Sequence, residues 1–262
     1  MQFVRKIGII LFFGLMHFAP SQAQKNFQDI KQILLKNYNN IIVNVDSNFV
    51  YFKSGEKLPL NNSNEKKTFE DTLNYASIFD MFSQNYVYGK DFQIPIPKNF
   101  EPGRIRNDDF FRKIYGNSKN EVNKNLTNVV WLPKNYGIKI KFSRINGAAI
   151  QLQKVSDELD KLPKKFLEYL EPIGGTFNWR VIAGTNKLSM HSFGIAIDIN
   201  TKHSHYWRNL KENKNGIYPY HNLIPLEIVE IFEKHGFIWG GKWYHFDTMH
   251  FEYRPEFFKN IK

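Results

Sequence analysis

The chain has 262 residues, no cysteine, and 36 basic against 25 acidic side chains, for a net charge of +11. Without cysteine there are no disulfides and no thiolate metal sites, so histidine and carboxylate are the only strong metal ligands left. The positive balance favours acidic polymers, but the lysines and arginines are scattered and no phosphate-cradling motif accompanies them, so nucleic acid is not expected as a partner.

Residues 1–23 have the pattern of a secretory signal. Arg5 and Lys6 lead, Ile7 to Met16 form an apolar centre too short to span a bilayer comfortably, and Ser21-Gln22-Ala23 offers a small-x-small cleavage site. Removing Arg5 and Lys6 lowers the charge from +11 to +9. No later run is long and apolar enough to anchor the chain, so an exported, soluble monomer is expected. Phe27, Ile30, Ile33 and Leu34 recur at helical spacing, and Ile41–Val45 and Phe49–Phe52 flank Asp46-Ser47-Asn48 as a hairpin. Asn61–Lys67 is polar and loop-like, and Phe69, Leu73, Ala76 and Phe79 support a second helix. From Asp91 to Phe111 three prolines and Gly103 mark an irregular connection that carries aromatic residues for packing.

Strands are expected at 129–132 and 138–142. A helix then follows, with Leu152, Val155, Leu159 and Leu162 in one stripe and Pro163 at its end. Thr176–Val181 alternates, with Phe177, Trp179 and Val181 opposite Thr176, Asn178 and Arg180, and reads as a strand. Pro225–His235 reads as a helix closed by Gly236. Strands mixed with segregated helices indicate an α+β fold. The expected division is a signal at 1–23, an extension at 24–125 packed on the core, and a core domain at 126–262.

The chemistry concentrates in two stretches. Ser189–Asn200 places His191 before Gly194, and then alternates so that Ile195, Ile197 and Ile199 oppose Ala196, Asp198 and Asn200. A carboxylate in so apolar a strand needs a partner, and a metal ion would accept both Asp198 and His191. Trp243–Tyr253 places His250 and Glu252 on one strand face, with Phe251 and Tyr253 opposite. If the two strands pair, His191, Asp198 and His250 converge as a three-ligand set with a position left for water. Asp247, three residues before His250, is then available as a base. Glu252 either orients a ligand imidazole or forms a structural ion pair. His245 is the rival to His250, since it would share a face with Asp247. His203, His205 and His221 fall in a polar insertion with Tyr206, Trp207 and Tyr218, where they line the cleft or face solvent.

The segment Arg180-x6-Lys187-Leu188-Ser189-x-His191-x2-Gly194-x-Ala196-x-Asp198 resembles the zinc signature of the D-alanyl-D-alanine carboxypeptidase and L-alanyl-D-glutamate peptidase family. Trp239-Gly240-Gly241-x-Trp243 with Asp247-x2-His250-Phe251-Glu252 is similar to the family's second motif. The two motifs fall within about residues 126–262, and Glu101-Pro102-Gly103-Arg104 resembles an N-terminal extension of some members. The resemblance implies a hedgehog-like antiparallel sheet with flanking helices and one zinc ion held by His191, Asp198 and His250. It also implies Asp247 as the catalytic carboxylate, Arg180 as the group that stabilises the reacting carbonyl, and Ser189 and Trp243 on the substrate side. The substrate it implies is the stem peptide of peptidoglycan. Aspartate rather than glutamate at 247 is more like the endopeptidase members, so the resemblance leaves open a D,D-carboxypeptidase or an endopeptidase. A non-catalytic wall-binding module of the same fold is the alternative.

Overall fold

Several helices begin where a short polar side chain takes up free backbone donors. In the computed structural model, which describes residues 25–62 and 67–258, Asn26 and Asp29 cap each other's backbone and start α1 (Phe27–Asn37). Ile30 and Leu34 are the buried side of that helix. The expected signal at 1–23 lies outside the described residues, as does part of the polar loop near 63–66. Among the described residues no helix is long and apolar enough to cross a membrane.

The expected hairpin is present as β1 (Ile42–Val45) and β2 (Phe49–Phe52), with Asp46 Oδ1 accepting from the Asn48 and Phe49 amides in the turn. A third strand, β3 (Lys57–Pro59), adds to β2. Helix α2 (Phe69–Asn74) is shorter than its pattern, and Ala76–Phe82 turns through a short 3-10 segment instead. The proline-rich connection is irregular as expected, but it ends in two helices that were not anticipated, α3 (Asp108–Tyr115) and α4 (Lys119–Lys124). Asn107 caps α3 by accepting from the Phe110 amide.

An antiparallel hairpin of β4 (Leu126–Trp131) and β5 (Ile138–Ser143) packs under α5 (Ala148–Leu159), whose Leu152, Val155 and Leu159 are fully buried. A short α6 (Leu167–Leu170) follows Pro163. The third sheet has the order β6–β8–β7, from β6 (Ala196–Asp198), β7 (Phe237–Trp239) and β8 (His250–Tyr253), all antiparallel. Helix α7 (Leu226–Lys234) covers its back, and Phe232 stacks on Phe251 at 3.9 Å between centroids. Helices and three small antiparallel sheets make this an α+β fold, as expected.

The expected strand at 176–181 is not formed. Only single bridges occur there, Gly175 with Asp198 and Val181 with Leu188. The intervening amides bond elsewhere: Asn178 N donates to His191 O and Arg180 N to Ser192 Oγ. This segment therefore wraps the turn that carries His191 rather than extending the sheet.

Candidate metal centre

Register decides the site. Strand β6 pairs with β8 so that Asp198 lies directly across from His250, and Ala196 across from Glu252. Ile197 and Phe251 consequently share the buried back of the sheet, and the polar pair shares its front. His191 arrives from a 3-10 turn at Met190–Phe193, which Ser189 starts and Gly194 closes at φ 67°. Ser143 N donates to Gly194 O, which ties this turn to β5.

His191 Nε2 and His250 Nδ1 stand 3.2 Å apart, and they lie 3.2 and 2.8 Å from Asp198 Oδ1. Among the described residues these three could hold a cation together, their ligand atoms all lying within 4.8 Å of one another. A tetrahedral ion with bonds of about 2.0–2.2 Å spaces its ligands about 3.3–3.6 Å apart, so the trio has to open only by a fraction of an ångström. The outer ring nitrogens are also held: His191 Nδ1 donates to Thr176 O at 2.6 Å, and His250 Nε2 lies 3.0 Å from Glu252 Oε1. Carboxylate and carbonyl partners of this kind fix the ring orientation and leave the inner nitrogen free to bind. The donor set and its supports fit a divalent metal.

Electrostatics reinforce the trio. Burial pushes the Asp198 carboxyl up, but hydrogen bonds from His191 and His250 outweigh it and hold Asp198 well below the usual carboxylate range. Burial alone would lower His250, yet Asp198 and Glu252 together lift it to about 10. Burial raises Asp247 to about 6, with the His250 charge opposing. Asp247 Oδ1 is buried with no hydrogen-bond partner among the described residues. An orphaned carboxylate oxygen beside a metal-binding trio is costly unless a proton or substrate meets it.

The other expected site residues divide. Glu252 sits where a ligand-orienting carboxylate belongs. Trp243 is buried, edge-on to the His250 ring at 5.9 Å. Ser189 Oγ accepts from the His191 amide at 3.4 Å, so it serves the turn. Arg180 is exposed, and its side chain has no partner among the described residues, although its backbone is fastened to Ser192. His245, the rival ligand, is not in the trio and pairs with Glu101 instead. His205 and His221 face each other at 5.4 Å, and His203 lies against Tyr169 at 5.0 Å.

Two supporting residues escaped the sequence reading. Arg254 and Glu256, like Glu252, are buried and form a chain in which Arg254 Nη1 reaches Glu252 Oε2 at 3.3 Å and Arg254 Nε donates to Glu256 Oε1. Tyr38 of the extension donates to Glu256 Oε2 at 2.6 Å. The sequence carried a partial signal: charged residues at 252, 254 and 256 follow His250 at every second position, although β8 ends at Tyr253 and Glu256 lies in the 3-10 turn beyond it.

The His-Asp-His trio could hold a metal ion, and the unpartnered Asp247 carboxylate accompanies it on an α+β scaffold. Residues 183–253 match the family model described as D-alanyl-D-alanine carboxypeptidase. That match supports the zinc peptidase family that the motifs resemble, and at family level a peptidase acting on peptidoglycan. It contains the trio, Asp247 and Glu252, and it starts after Arg180. Comparison with curated proteins and with solved structures gives no match.

Proposed function

We propose that the chain is an exported, monomeric zinc peptidase that hydrolyses peptide bonds of peptidoglycan stem peptides, as a D,D-carboxypeptidase or an L-alanyl-D-glutamate-type endopeptidase. We further propose that 126–262 is the peptidase domain and 24–125 an extension packed on it. The observation that carries the reading is the orphaned Asp247 oxygen beside a trio whose outer nitrogens are both held. His191, Asp198 and His250 would hold the zinc, which when bound supplies Lewis acidity toward a carbonyl and a lowered pKa for water. Asp247 Oδ1 takes a proton from the attacking water and delivers it to the nitrogen of the leaving amine. A carboxyl raised to about 6 is matched to that task near neutral pH. Arg180, whose backbone amide donates to Ser192 Oγ and whose side chain has no partner among the described residues, is the residue proposed to meet the developing oxyanion. Trp243 walls the His250 side of the cleft.

Purified muropeptides incubated with zinc-loaded and chelated protein, with products weighed by mass spectrometry, test the reading and identify the bond. Zinc-dependent cleavage is expected. Full zinc occupancy without cleavage would favour a non-catalytic wall-binding module.

A further inference from the structure

Two residues before Asp247 stands a second polar side chain that the reaction above does not use. Residues 243–249 follow a bent path past 205–207, with Trp207 N donating to Phe246 O and Thr248 N to His205 O, each at 3.0 Å, and a single bridge between Tyr206 and Asp247. Tyr244, Phe246 and Thr248 are buried along this run, whereas His245 and Asp247 are half-exposed. His245 and Asp247, two residues apart, thus keep access to solvent between buried neighbours.

His245 is held there from two sides. Glu101, completely buried, accepts from the His245 backbone amide at 3.0 Å and bonds His245 Nδ1 with the same oxygen. The Trp207 ring lies 4.2 Å from the imidazole, and Tyr218 lies 5.7 Å away. Glu101 is in turn fixed by its own turn. Glu101 N donates to Gln84 Oε1, Tyr244 N donates to Phe100 O at 2.8 Å, and Arg104 Nε lies 3.6 Å from Glu101 Oε2. At Gly103 a Cβ would overlap the Trp243 indole, so only glycine lets this turn lie against the second motif. A carboxylate on Nδ1 makes that nitrogen the donor and leaves Nε2 with its lone pair. No hydrogen bond to His245 Nε2 occurs among the described residues.

We propose that Glu101 and His245 form a substrate-positioning pair, in which His245 Nε2 accepts a hydrogen bond from a backbone N–H of the stem peptide bound beside Asp247. Glu101 is a positioning residue that acts through His245 by fixing its tautomer and plane. The extension thus supplies part of the substrate site. The proposal rests on the peptidase reading for the identity of the peptide.

The test uses the zinc-loaded full chain with His245→Asn, which keeps a donor near Nδ1 and removes the outward acceptor, and Glu101→Gln. In histidine-labelled wild type, nitrogen NMR is expected to show His245 protonated at Nδ1 and bare at Nε2, and Glu101→Gln is expected to lose that preference. On the cleaved muropeptide KM should rise ~10-fold in His245→Asn, with kcat within about threefold and zinc content unchanged. An unchanged KM in His245→Asn, or a wild-type His245 protonated at Nε2, overturns the pair. If Glu101→Gln fails to fold, His245→Asn and the wild-type spectrum decide. If zinc-loaded wild type cleaves no muropeptide, the peptidase reading fails separately. Titration with uncleaved muropeptide then decides the pair: a shift at His245 Nε2 supports it and no shift overturns it.

Discussion

His250 Nδ1 and Asp198 Oδ1 stand 2.8 Å apart in the place where a cation would bind. His250 is lifted to about 10 by Asp198 and Glu252 despite its burial, so a metal has to displace its proton. The sign follows directly. A histidine raised above its ordinary value near 6.5 stabilises the metal-free fold fully below about pH 6.5, and that contribution fades as pH rises through about 10. Zinc affinity should therefore climb across the same window, by up to about tenfold per pH unit for one displaced proton. Calorimetry in buffers of different ionisation enthalpy reads the released proton, and an affinity flat between pH 7 and 9 would contradict the assignment of His250. Alanine at His191, Asp198 or His250 should leave well under one zinc per chain, whereas alanine at His245 should not. Asp247 and Glu252 should separate binding from turnover. Asp247→Asn is expected to keep zinc and lose activity ~10²-fold or more, the usual scale for a general base. Glu252→Gln is expected to weaken zinc ~10–100-fold by loosening the His250 ring. Equal zinc loss in both variants would mean that Asp247 is a ligand.

At the scale of elements, the turn before His191 is clamped by residues far upstream. Lys187 Nζ donates to Leu73 O at 2.9 Å and Arg106 O at 2.7 Å, Arg106 donates to Leu188 O, and Leu188 N donates to Asp108 Oδ2 at 2.8 Å. Burial, with the Arg106 charge, lowers Lys187 to about 7. A depressed lysine is a penalty that is complete below about pH 7 and is relieved as pH rises toward 10.5, because the unfolded chain then binds the extra proton. Lys187→Met removes that dependence. Wild type should therefore gain stability relative to the variant between pH 7 and 10.5, at up to ~1.4 kcal/mol per pH unit. Urea melts of both proteins at several pH values measure it, and a constant difference would show that Lys187 is already neutral or solvated. The same scale shows what the sequence could reveal. Pairing of β6 with β8 was legible because isoleucines 195, 197 and 199 alternate with Asp198, and His250 alternates with Phe251. The 176–181 segment alternates equally well, yet its amides bond Ser192 and the His191 turn, a tertiary choice that no local period encodes. Helix α3 was hidden by the prolines before it, although Asn107 ahead of two aspartates was a start signal. The pairing of Glu101 with His245 joins residues 144 positions apart, which spacing cannot show.

Among the described residues a large apolar cluster and a chain of polar contacts join residues of the 24–125 segment to the site. Ile30, Leu34, Tyr38, Val45, Val50, Phe110 and Phe111 belong to the same buried cluster as Phe142, Phe193, Ile197 and Phe251. The polar chain runs from Tyr38 through Glu256, Arg254 and Glu252 to His250. Arg254 is fully buried between two carboxylates and rests over the Phe111 ring at 4.9 Å. Removing one partner of a buried ion pair costs about 3–5 kcal/mol, because the remaining charge is left uncompensated. Arg254→Met leaves two such carboxylates, so a fall of at least that size is expected in urea melts. A chain beginning at residue 126 loses more. Phe193 would face water where Phe111 and Tyr115 stood, Arg254 would lose the Gly103 carbonyl and the Phe111 ring, and His245 would lose Glu101. Apolar surface of that extent is worth ~25 cal/mol per Å² when buried, so a handful of exposed rings outweighs the 5–15 kcal/mol by which a domain is stable. The truncated chain is therefore expected to show no cooperative melt and to bind zinc weakly, read by circular dichroism and metal analysis. A sharp transition with one tightly held zinc would mean that 126–262 folds alone and that the extension is an accessory added to a complete enzyme.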